Sequence, residues 1–265
     1  MKPINNATVL VTGGSKGIGL AIAEEFAAQG HDLILVARGL EELERAAQRI
    51  RDSAQVNVLT FAIDLSETHA PEHLFEQVKA SSVSVDVLVN NAGVGMTGDF
   101  AKGDYVKMTR MLQLNILALS QLTHLFMQPM LERNHGRILN IGSLVAYFAG
   151  TPNWAAYGAS KQYVLSFSKG LAREVKGTGV AVTVVSPGTT ATDFVKTADA
   201  ADMRAYQSID GPSVSEIARV AYKACQKGEV SAIPGMSNKI LAYLGELHPR
   251  AIAFEVFAYL SQKKE

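Results

Sequence analysis

The sequence has few of the features that mark several classes of protein. Its one cysteine, Cys225, excludes an internal disulfide framework and fits a reducing compartment. Its 25 basic and 25 acidic side chains balance, so no excess of positive charge favours a nucleic-acid partner. No window approaches the roughly 18 uninterrupted apolar residues of a membrane-spanning helix, and residues 1–6 lack the apolar core of a signal peptide. We therefore expect a cytoplasmic protein.

Residues that interrupt regular structure are also few. The chain has eight prolines, and no stretch rich in proline, glycine or serine divides its 265 residues. Internal repeats and low-complexity tracts are absent as well. A chain of this length can bury a substantial hydrophobic core. We expect a single domain over residues 1–265.

Short apolar runs, many of them rich in β-branched residues, recur along the chain. Segments with helical spacing separate them. Continuous apolar runs of this kind are typical of parallel strands that helices cover on both faces. The predicted strands are Ala7–Val11, Asp32–Ala37, Val56–Ile63, Val85–Val89, Arg137–Ile141, Val180–Val185 and Glu229–Ile233.

Helical periodicity fills the intervals between these strands. Ser213 can cap the last predicted helix, with Glu216 completing a capping box. The segment Asp104–Leu131, one long helix or two joined ones, is apolar on more than one face and so needs cover from two sides. The predicted helices are Leu20–Gln29, Glu41–Arg51, His69–Lys79, Asp104–Leu131, Ala155–Lys176 and Ser213–Lys227, and an apolar helical tail runs from Ser237 to Leu260, broken near Pro249.

Some residues that often carry chemistry are expected to be structural. Cys225 lies on a predicted helix, where a small buried apolar role is more common than a nucleophilic one. His69 and His73 are four apart, but a third ligand and the His-Glu-x-x-His order are missing. We therefore expect no metal site.

The first strand runs into a glycine-rich turn, Thr12-Gly13-Gly14-Ser15-Lys16-Gly17-Ile18-Gly19, and a helix follows. Glycines let the backbone turn tightly and approach a ligand, and a helix N-terminus offers N–H groups to a pyrophosphate. The spacing Gly-x-x-x-Gly-x-Gly differs from the better-known Gly-x-Gly-x-x-Gly fingerprint. The turn therefore indicates either a dinucleotide site or simply a tight connection.

The second strand ends at Arg38, and no acidic residue stands there. In a dinucleotide fold this strand end meets the adenosine ribose, where an acid selects the free 2′-hydroxyl and an arginine accommodates a 2′-phosphate. Lys16 and Ser15 can add a charge and a hydroxyl. NADP(H) is favoured over NAD(H), although Arg38 would also fit as a solvated residue opening a helix.

Tyr157 and Lys161 are four apart, so they share one face if the segment is helical. A nearby cation lowers the pKa of a tyrosine, which makes the pair a candidate general acid/base. The spacing alone is weak support, because Tyr259 and Lys263 repeat it.

Seven motifs together are more specific than this pair. They resemble the ordered motif set of the short-chain dehydrogenases/reductases over roughly residues 7–233. The resemblance implies a doubly wound α/β domain of Rossmann type, with a seven-stranded parallel sheet flanked by helices and a helical C-terminal tail. The motifs are Thr12-Gly-x-x-x-Gly17-x-Gly19, Asp64-Leu65, Asn90-Asn91-Ala92-Gly93, Asn115, Ser143, Tyr157-x-x-x-Lys161 and Pro187-Gly188-x-x-x-Thr192.

The same resemblance implies a role for each residue. Tyr157 would exchange a proton with the substrate, and Lys161 would lower its pKa and hold the nicotinamide ribose. Ser143 would hydrogen-bond the substrate oxygen, and Asn115 would position a water in a proton relay. The implied cofactor contacts are Gly13, Ser15, Lys16, Gly17, Ile18, Gly19, Arg38, Asp64, Leu65, Asn91, Ala92, Gly93, Tyr157, Lys161, Pro187, Gly188, Thr190 and Thr192.

Further expectations concern the surroundings of the site. The resemblance implies a homodimer or homotetramer built on the helices of Asn115 and Tyr157, although burial within one subunit would also explain the two apolar faces. Residues 189–210 have the composition of a lid. The tail, 237–262, is expected to lie beside the lid and extend an apolar pocket, or to touch a membrane surface through its basic end.

The favoured function is NADP(H)-dependent oxidation or reduction of a secondary alcohol or carbonyl on an apolar substrate. A dinucleotide-binding sensor or scaffold that has lost catalysis is the main alternative. Dehydration or isomerisation, which some members of the family perform, is a third.

Overall fold

The computed structural model describes residues 3–148, 150–189 and 211–246, and strands alternate with helices along them. The strands are β1 (Thr8–Thr12), β2 (Asp32–Ala37), β3 (Val58–Ala62), β4 (Val87–Asn90), β5 (Gly136–Ile141), β6 (Val180–Val185) and β7 (Ser231–Ala232). The α-helices are α1 (Gly17–Ala28), α2 (Leu40–Ser53), α3 (Ala70–Ala80), α4 (Tyr105–Leu112), α5 (Leu119–Glu132), α6 (Ala155–Glu174), α7 (Val214–Lys227) and α8 (Met236–Glu246).

These strands form one parallel sheet in the order β3-β2-β1-β4-β5-β6-β7. β5 and β6 are buried along their whole length; β6 is apolar except for Thr183, whereas β5 also buries Arg137 and Asn140. The predicted doubly wound fold is confirmed. The strand order reverses between β1 and β4, and in open parallel sheets ligands bind at such a reversal, outside the carboxyl ends of the strands.

Helices cover both faces of the sheet. Because alternate strand residues point to opposite faces, Val9 and Val11 of β1 pack into one core while Leu10 packs into the other. On the first face, Phe26 of α1 is fully buried. On the second, Phe126 of α5 meets Phe75 of α3 edge-on at 5.1 Å. Burying one such aromatic side chain contributes roughly 1.5–3 kcal/mol relative to leaving it exposed.

Most predicted boundaries agree with the structure to within a few residues. α1 begins at Gly17, three residues before its predicted start, because the glycine-rich turn winds directly into the helix. β7 has two residues rather than five, since this edge strand pairs with β6 only at Ser231 and Ala232. The predicted cap of α7 is present, with Ser213 Oγ accepting the N–H of Glu216 at 3.2 Å.

The predicted helix Asp104–Leu131 is present but changes its pitch. Asp104 caps α4, and a π turn, Gln113–Ala118, joins α4 to α5. Single π turns inside α-helices are frequent at functional sites. Asn115 lies in this turn and is 1% exposed.

α8 is the described part of the predicted tail. Its Gly245 lies so close to Tyr147 that a Cβ there would be 2.6 Å from the Tyr147 carbonyl oxygen. Most of the predicted lid and the rest of the tail lie outside the described residues, so the single domain over 1–265 stays a prediction. No helix in the described ranges is long and apolar enough to cross a membrane.

Candidate active site

The glycine-rich turn leaves β1 at Thr12 and enters α1 at Gly17. Gly13 and Gly17 have positive φ angles of 66° and 57°, in the region that favours glycine. A Cβ at Gly19 would collide with the carbonyl oxygen of Gly13, whereas a Cβ at Gly17 would meet nothing within 4 Å. The backbone of the turn is therefore closely packed at Gly19, while the space beside Gly17 is empty. The N-cap residue, Lys16, makes no side-chain cap, which leaves the start of α1 suited to a pyrophosphate.

Thr12 and Asn91 tie this turn to the loop after β4. The Thr12 hydroxyl donates to the Val89 carbonyl at 3.2 Å and accepts the N–H groups of Asn91 and Ala92, both at 3.0 Å. The Asn91 amide donates to the carbonyls of Thr12 and Gly13 at 2.9 and 3.2 Å. These bonds fix the two sides of the crevice between β1 and β4. Thr12 was not among the predicted site residues, although it opens the motif Thr12-Gly-x-x-x-Gly17-x-Gly19.

Arg38 follows β2, the neighbour of β1. Its side chain is 68% exposed, and its Nη1 lies 4.0 Å from Asp64 Oδ2. Lys16 Nζ lies 4.0 Å from Glu42 in the same way. Burial by itself would raise the pKa of Asp64, but hydrogen bonds from the Ser66 hydroxyl and N–H, helped by Arg38, lower it. An exposed ion pair this long is weak, so Arg38 can turn towards a phosphate.

Tyr157 and Lys161 lie on α6 and are buried, with exposures of 5% and 6%. Lys161 Nζ lies 5.9 Å from the centre of the Tyr157 ring and donates to the Ile141 carbonyl, at the end of β5, at 2.9 Å. Burial lowers the pKa of Lys161 from 10.5 to about 8, because desolvation disfavours the charged form. A phenol beside a cation that titrates near neutral pH is suited to proton transfer.

Asn115 binds the loop after β4 to α6. Its Oδ1 accepts the N–H of Val94, and its amide donates to the Val94 carbonyl, both at 3.0 Å. The second amide hydrogen goes to the Ser160 hydroxyl at 3.2 Å. A Cβ at Gly93 would lie 3.1 Å from Asn115 Oδ1 and 3.6 Å from Lys161 Nζ, so this loop passes directly over both side chains.

Ser143 follows the end of β5. Its Oγ accepts the N–H of Val145 at 3.3 Å, and Val145 packs in one cluster with Tyr157. The N–H of Leu144 donates to the Pro187 carbonyl at 2.7 Å, which holds the end of β6 beside this turn. The structure therefore places Asn115, Ser143, Tyr157 and Lys161 around the carboxyl ends of β4 and β5.

The remaining predicted contacts have varied positions. Ser15 lies in the glycine-rich turn, Ile18 lies in the first turn of α1, and Leu65 packs into the core with 4% exposure. A Cβ at Gly188 would lie 2.5 Å from Asn238 Oδ1 of α8, so the chain after β6 is pressed against this helix. Thr190 and Thr192 lie outside the described residues.

An apolar cluster surrounds Tyr157. The Trp154 ring lies 5.2 Å from the Tyr157 ring, and Met111 and Val145 complete the buried part. A small groove that is partly open to solvent adjoins this cluster, and its lining includes the polar residues Thr97, Asp99 and Asn153 as well as apolar ones. Methionines adapt their shape to apolar ligands. Residues shared by the groove and the cluster are Met96, Met108 and Ala156.

The residues expected to be structural occupy ordinary positions. Cys225 is buried, and burial raises the pKa of its thiol to about 12, which does not suit a nucleophile. His69 is the N-cap residue of α3, and His73 forms a 3.0 Å hydrogen bond with Gln77. Over the described ranges, no group of three or more His, Cys, Asp or Glu residues could hold a metal ion.

Comparison with known proteins agrees with this geometry. The family model described as short chain dehydrogenase matches residues 7–202. The 3-oxoacyl-(acyl-carrier-protein) reductase of Escherichia coli (strain K12) is 36% identical over 187 residues, which cover 71% of this chain and 75% of that protein.

Two solved structures are also similar. The short-chain dehydrogenase from Sphingobium yanoikuyae in complex with NADPH has a TM-score of 0.80 and 32% identity, covering 87% of this chain and 88% of that one. The bulky-bulky ketone specific alcohol dehydrogenase from Comamonas testosteroni has a TM-score of 0.75 and 28% identity, covering 96% and 91%. The chain therefore belongs to the short-chain dehydrogenase family and is an NAD(P)-dependent dehydrogenase or reductase.

Proposed function

We propose that the protein is an NADP(H)-dependent oxidoreductase that interconverts a carbonyl and a secondary alcohol on an apolar substrate, with Tyr157 as the acid/base. The observation that carries this proposal is the buried pair of Tyr157 and Lys161, whose ammonium lies 5.9 Å from the phenol ring. Asn115 and Ser143 are also present at the same strand ends, which argues against a sensor or scaffold that has lost catalysis.

The crevice between β1 and β4 fits a dinucleotide. Its glycine-rich turn is open at Gly17, where a pyrophosphate needs close approach. Lys161 Nζ donates one hydrogen to Ile141, so further ammonium hydrogens can bind ribose hydroxyls. When bound, the nicotinamide supplies or accepts the hydride.

The chain's own residues handle the proton and the charge on the substrate oxygen. In reduction, Tyr157 donates its proton to that oxygen, and the Ser143 hydroxyl donates a hydrogen bond to it. Donors fixed where negative charge develops stabilise the transition state. The Lys161 ammonium then favours the phenolate form of Tyr157. In oxidation, the same phenolate accepts the proton of the alcohol.

For Asn115, the water-positioning role that the resemblance implies is restricted by its contacts. Both amide hydrogens are bonded to protein oxygens, on Val94 and Ser160. A water in a proton relay would therefore be held by an oxygen atom of this residue. The amide itself keeps the loop after β4 against α6.

Mutation of Tyr157 gives the direct test of the proposed function. Tyr157→Phe removes the phenolic proton and keeps the ring, so turnover should fall by about 10³-fold or more while NADPH still binds. NADPH fluorescence measures binding, and NADPH absorbance measures turnover. Tyr105→Phe, which removes a hydroxyl from a side chain that is 73% exposed, should leave both unchanged. Unchanged turnover in Tyr157→Phe would contradict the mechanism.

Arg38 and Lys16 support the choice of NADP(H). Arg38 follows β2 and Lys16 lies in the glycine-rich turn, where the adenosine end of the cofactor is expected. The similar short-chain dehydrogenase from Sphingobium yanoikuyae was solved in complex with NADPH. Loss of a charge-assisted contact costs about 1.5–3 kcal/mol, so Arg38→Ala should weaken NADPH binding about 10–100-fold and leave NADH binding nearly unchanged. Arg45→Ala, on the exposed surface of α2, is the control. Tighter binding of NADH by the native protein would overturn this choice.

Support for an apolar substrate comes from Met96, Met108 and Ala156, which line the groove and also pack against the apolar cluster of Tyr157. A similar enzyme is named for bulky-bulky ketones and another relative for 3-oxoacyl groups, so both substrate classes are candidates. A panel of ketoacyl thioesters, steroids, quinones and aliphatic ketones, followed by NADPH absorbance, would identify the class. Activity confined to small polar carbonyls would contradict the assignment.

We also propose that α6, the π turn Gln113–Ala118 and α5 form a homo-oligomer interface. Leu117 is 50% exposed, and Tyr163, 37% exposed, stacks on Phe167 at 5.4 Å. The Tyr163 hydroxyl lies 2.9 Å from Ser120 Oγ, so the two helices are in contact through these side chains. Light scattering should show a dimer or tetramer that Leu117→Glu dissociates. A native monomer at micromolar concentration would contradict the interface.

A further inference from the structure

Ser160 lies on α6 between Tyr157 and Lys161, and it is fully buried. Its hydroxyl donates to the Tyr157 carbonyl at 2.7 Å and accepts a hydrogen from the Asn115 amide at 3.2 Å. A serine inside a helix is less favourable than alanine, and a bond back to its own helix slightly destabilises that helix. The bond to Asn115 is therefore the contact that needs a hydroxyl here.

Through Asn115 this contact extends to the loop after β4. The Asn115 amide uses its oxygen and both hydrogens on Val94 and Ser160, so Ser160 closes a chain of bonds from that loop to α6. The same loop passes Lys161 Nζ, which lies 3.6 Å from the position of a Cβ on Gly93. A change at Ser160 therefore reaches Lys161 through Asn115 and this loop.

We propose that Ser160 is a positioning residue for the Tyr157–Lys161 pair. By fixing the Asn115 amide, it holds the loop after β4 against Lys161 and sets the distance between the ammonium and the phenol. This inference rests on the proposed function.

α6 offers a matched internal control, Ser168. This serine is also fully buried, its hydroxyl donates to the Val164 carbonyl at 2.7 Å, and it accepts a hydrogen from the Asn140 amide at 2.9 Å. Asn140 in turn accepts a hydrogen from the Asn90 amide at 3.0 Å, inside the sheet. The two serines thus make the same kind of bonds from one helix, but only Ser160 is bonded to a residue of the candidate site.

Ser160→Ala removes the acceptor for one Asn115 hydrogen. A buried amide that loses an acceptor reorients or admits water. We expect kcat to fall about tenfold, since a small misplacement of reacting groups has effects of this order. The pH at which kcat for alcohol oxidation is half-maximal should move upward, because a looser ammonium favours the phenolate less. The dissociation constant for NADPH should stay within twofold.

Ser168→Ala should lower the thermal unfolding midpoint by about as much as Ser160→Ala does. It should leave kcat and its pH profile as in the native protein. If Ser160→Ala fails to fold, Ser160→Cys replaces it in this test. The cysteine nearly keeps the volume of serine, but its sulfur is a weak acceptor, so the same changes in kcat and pH profile are expected. A native kcat and pH profile in the folded Ser160 variant would overturn the proposal, as would equal losses of kcat in both serine variants. If Tyr157→Phe keeps its turnover, the proposed function fails; if Tyr157→Phe is inactive and Ser160→Ala is native, only the positioning role fails.

Discussion

Two buried cations lie at opposite ends of strand β5. One lies where the parallel strands begin, here called the amino edge of the sheet, and the other where they end, the carboxyl edge. Arg137 stands near the start of β5, and Lys161 is bonded to the last residue of that strand. Arg137 Nη1 donates to the carbonyls of Gly136 and Gly179 at 2.8 and 3.2 Å, and Lys161 Nζ donates to that of Ile141 at 2.9 Å. Burial lowers the pKa of both groups.

Similar burial has different chemical consequences for the two residues. An arginine keeps its charge in a protein, because its ordinary pKa is so high. Lys161, with a pKa of about 8, can lose its proton near neutral pH. Lys161 also lies at the carboxyl ends of the strands, where the crevice is. What marks Lys161 as functional is therefore its position at the carboxyl ends of the strands, beside Tyr157.

Replacing Lys161 should produce the largest effect on activity. Lys161→Met removes the cation and keeps an unbranched apolar side chain, so kcat should fall by about 10³-fold, the order of an acid/base contribution. Stability should change little, because the variant removes a buried charge but also leaves the Ile141 carbonyl without its Lys161 donor, and these two effects oppose each other. NADPH-coupled turnover and urea unfolding measure the two quantities.

Lys169→Met is the control for this variant. Lys169 lies on the same helix, but it is partly exposed and pairs with Glu246 at 3.4 Å. Its loss should leave kcat within twofold. A kcat in Lys161→Met within tenfold of the native value would remove the distinction between the two edges of the sheet.

Sequence reasoning predicted the fold better than the contacts of the site. The mainly apolar runs of β2 and β6 identify buried strands locally, because a strand covered on both faces has no polar alternation. The glycine-rich turn is also a local signal. The doubly wound topology came only from the resemblance, because adjacent strands such as β1 and β4 are far apart in the chain.

The π turn and the Ser160 contact had no local signal. Asn115 and Ser160 are separated by 45 residues, and only the packing of α6 against the π turn brings them together. Asp104–Leu131 has helical periodicity throughout, so the change of pitch at Asn115 arises from its bonds to Val94 rather than from propensity. Tertiary contacts of this kind override local preference.

Arg137→Met tests the opposite edge, where we expect stability and not chemistry to change. The Gly136 and Gly179 carbonyls would each lose a donor, at a cost of about 1–3 kcal/mol for a buried group left unpaired. Urea unfolding should show this loss, while kcat should stay within twofold. A large fall in kcat with native stability would mean that the functional region extends through β5 to its amino end.

His31 is a second buried titratable group at the amino edge. It is 1% exposed, and its Nδ1 accepts the N–H of Ala7 at 3.1 Å. Its Nε2 lies 3.3 Å from the Gln226 amide nitrogen, and that amide is held by the main chain of Ile4. Protonation at Nδ1 would turn an acceptor into a donor that faces the Ala7 N–H. Burial lowers the pKa of His31, and Asp86 opposes this shift.

The smallest expected effect is the dependence of stability on pH that follows from His31. Because its folded-state pKa lies below 6.5, the unfolded chain binds the proton first as the pH falls. The stability that His31 contributes is therefore present above pH 6.5 and is lost as the pH falls from there through the lowered pKa.

His31→Asn keeps an acceptor for Ala7 without the titration, so its unfolding free energy should fall less between about pH 7 and pH 5 than that of the native protein. The exposed His124→Asn should keep the native dependence. Urea unfolding at each pH measures the unfolding free energy. If this free energy depends on pH equally in the two variants, groups other than His31 cause the dependence, and the amino edge has no titratable residue that affects stability.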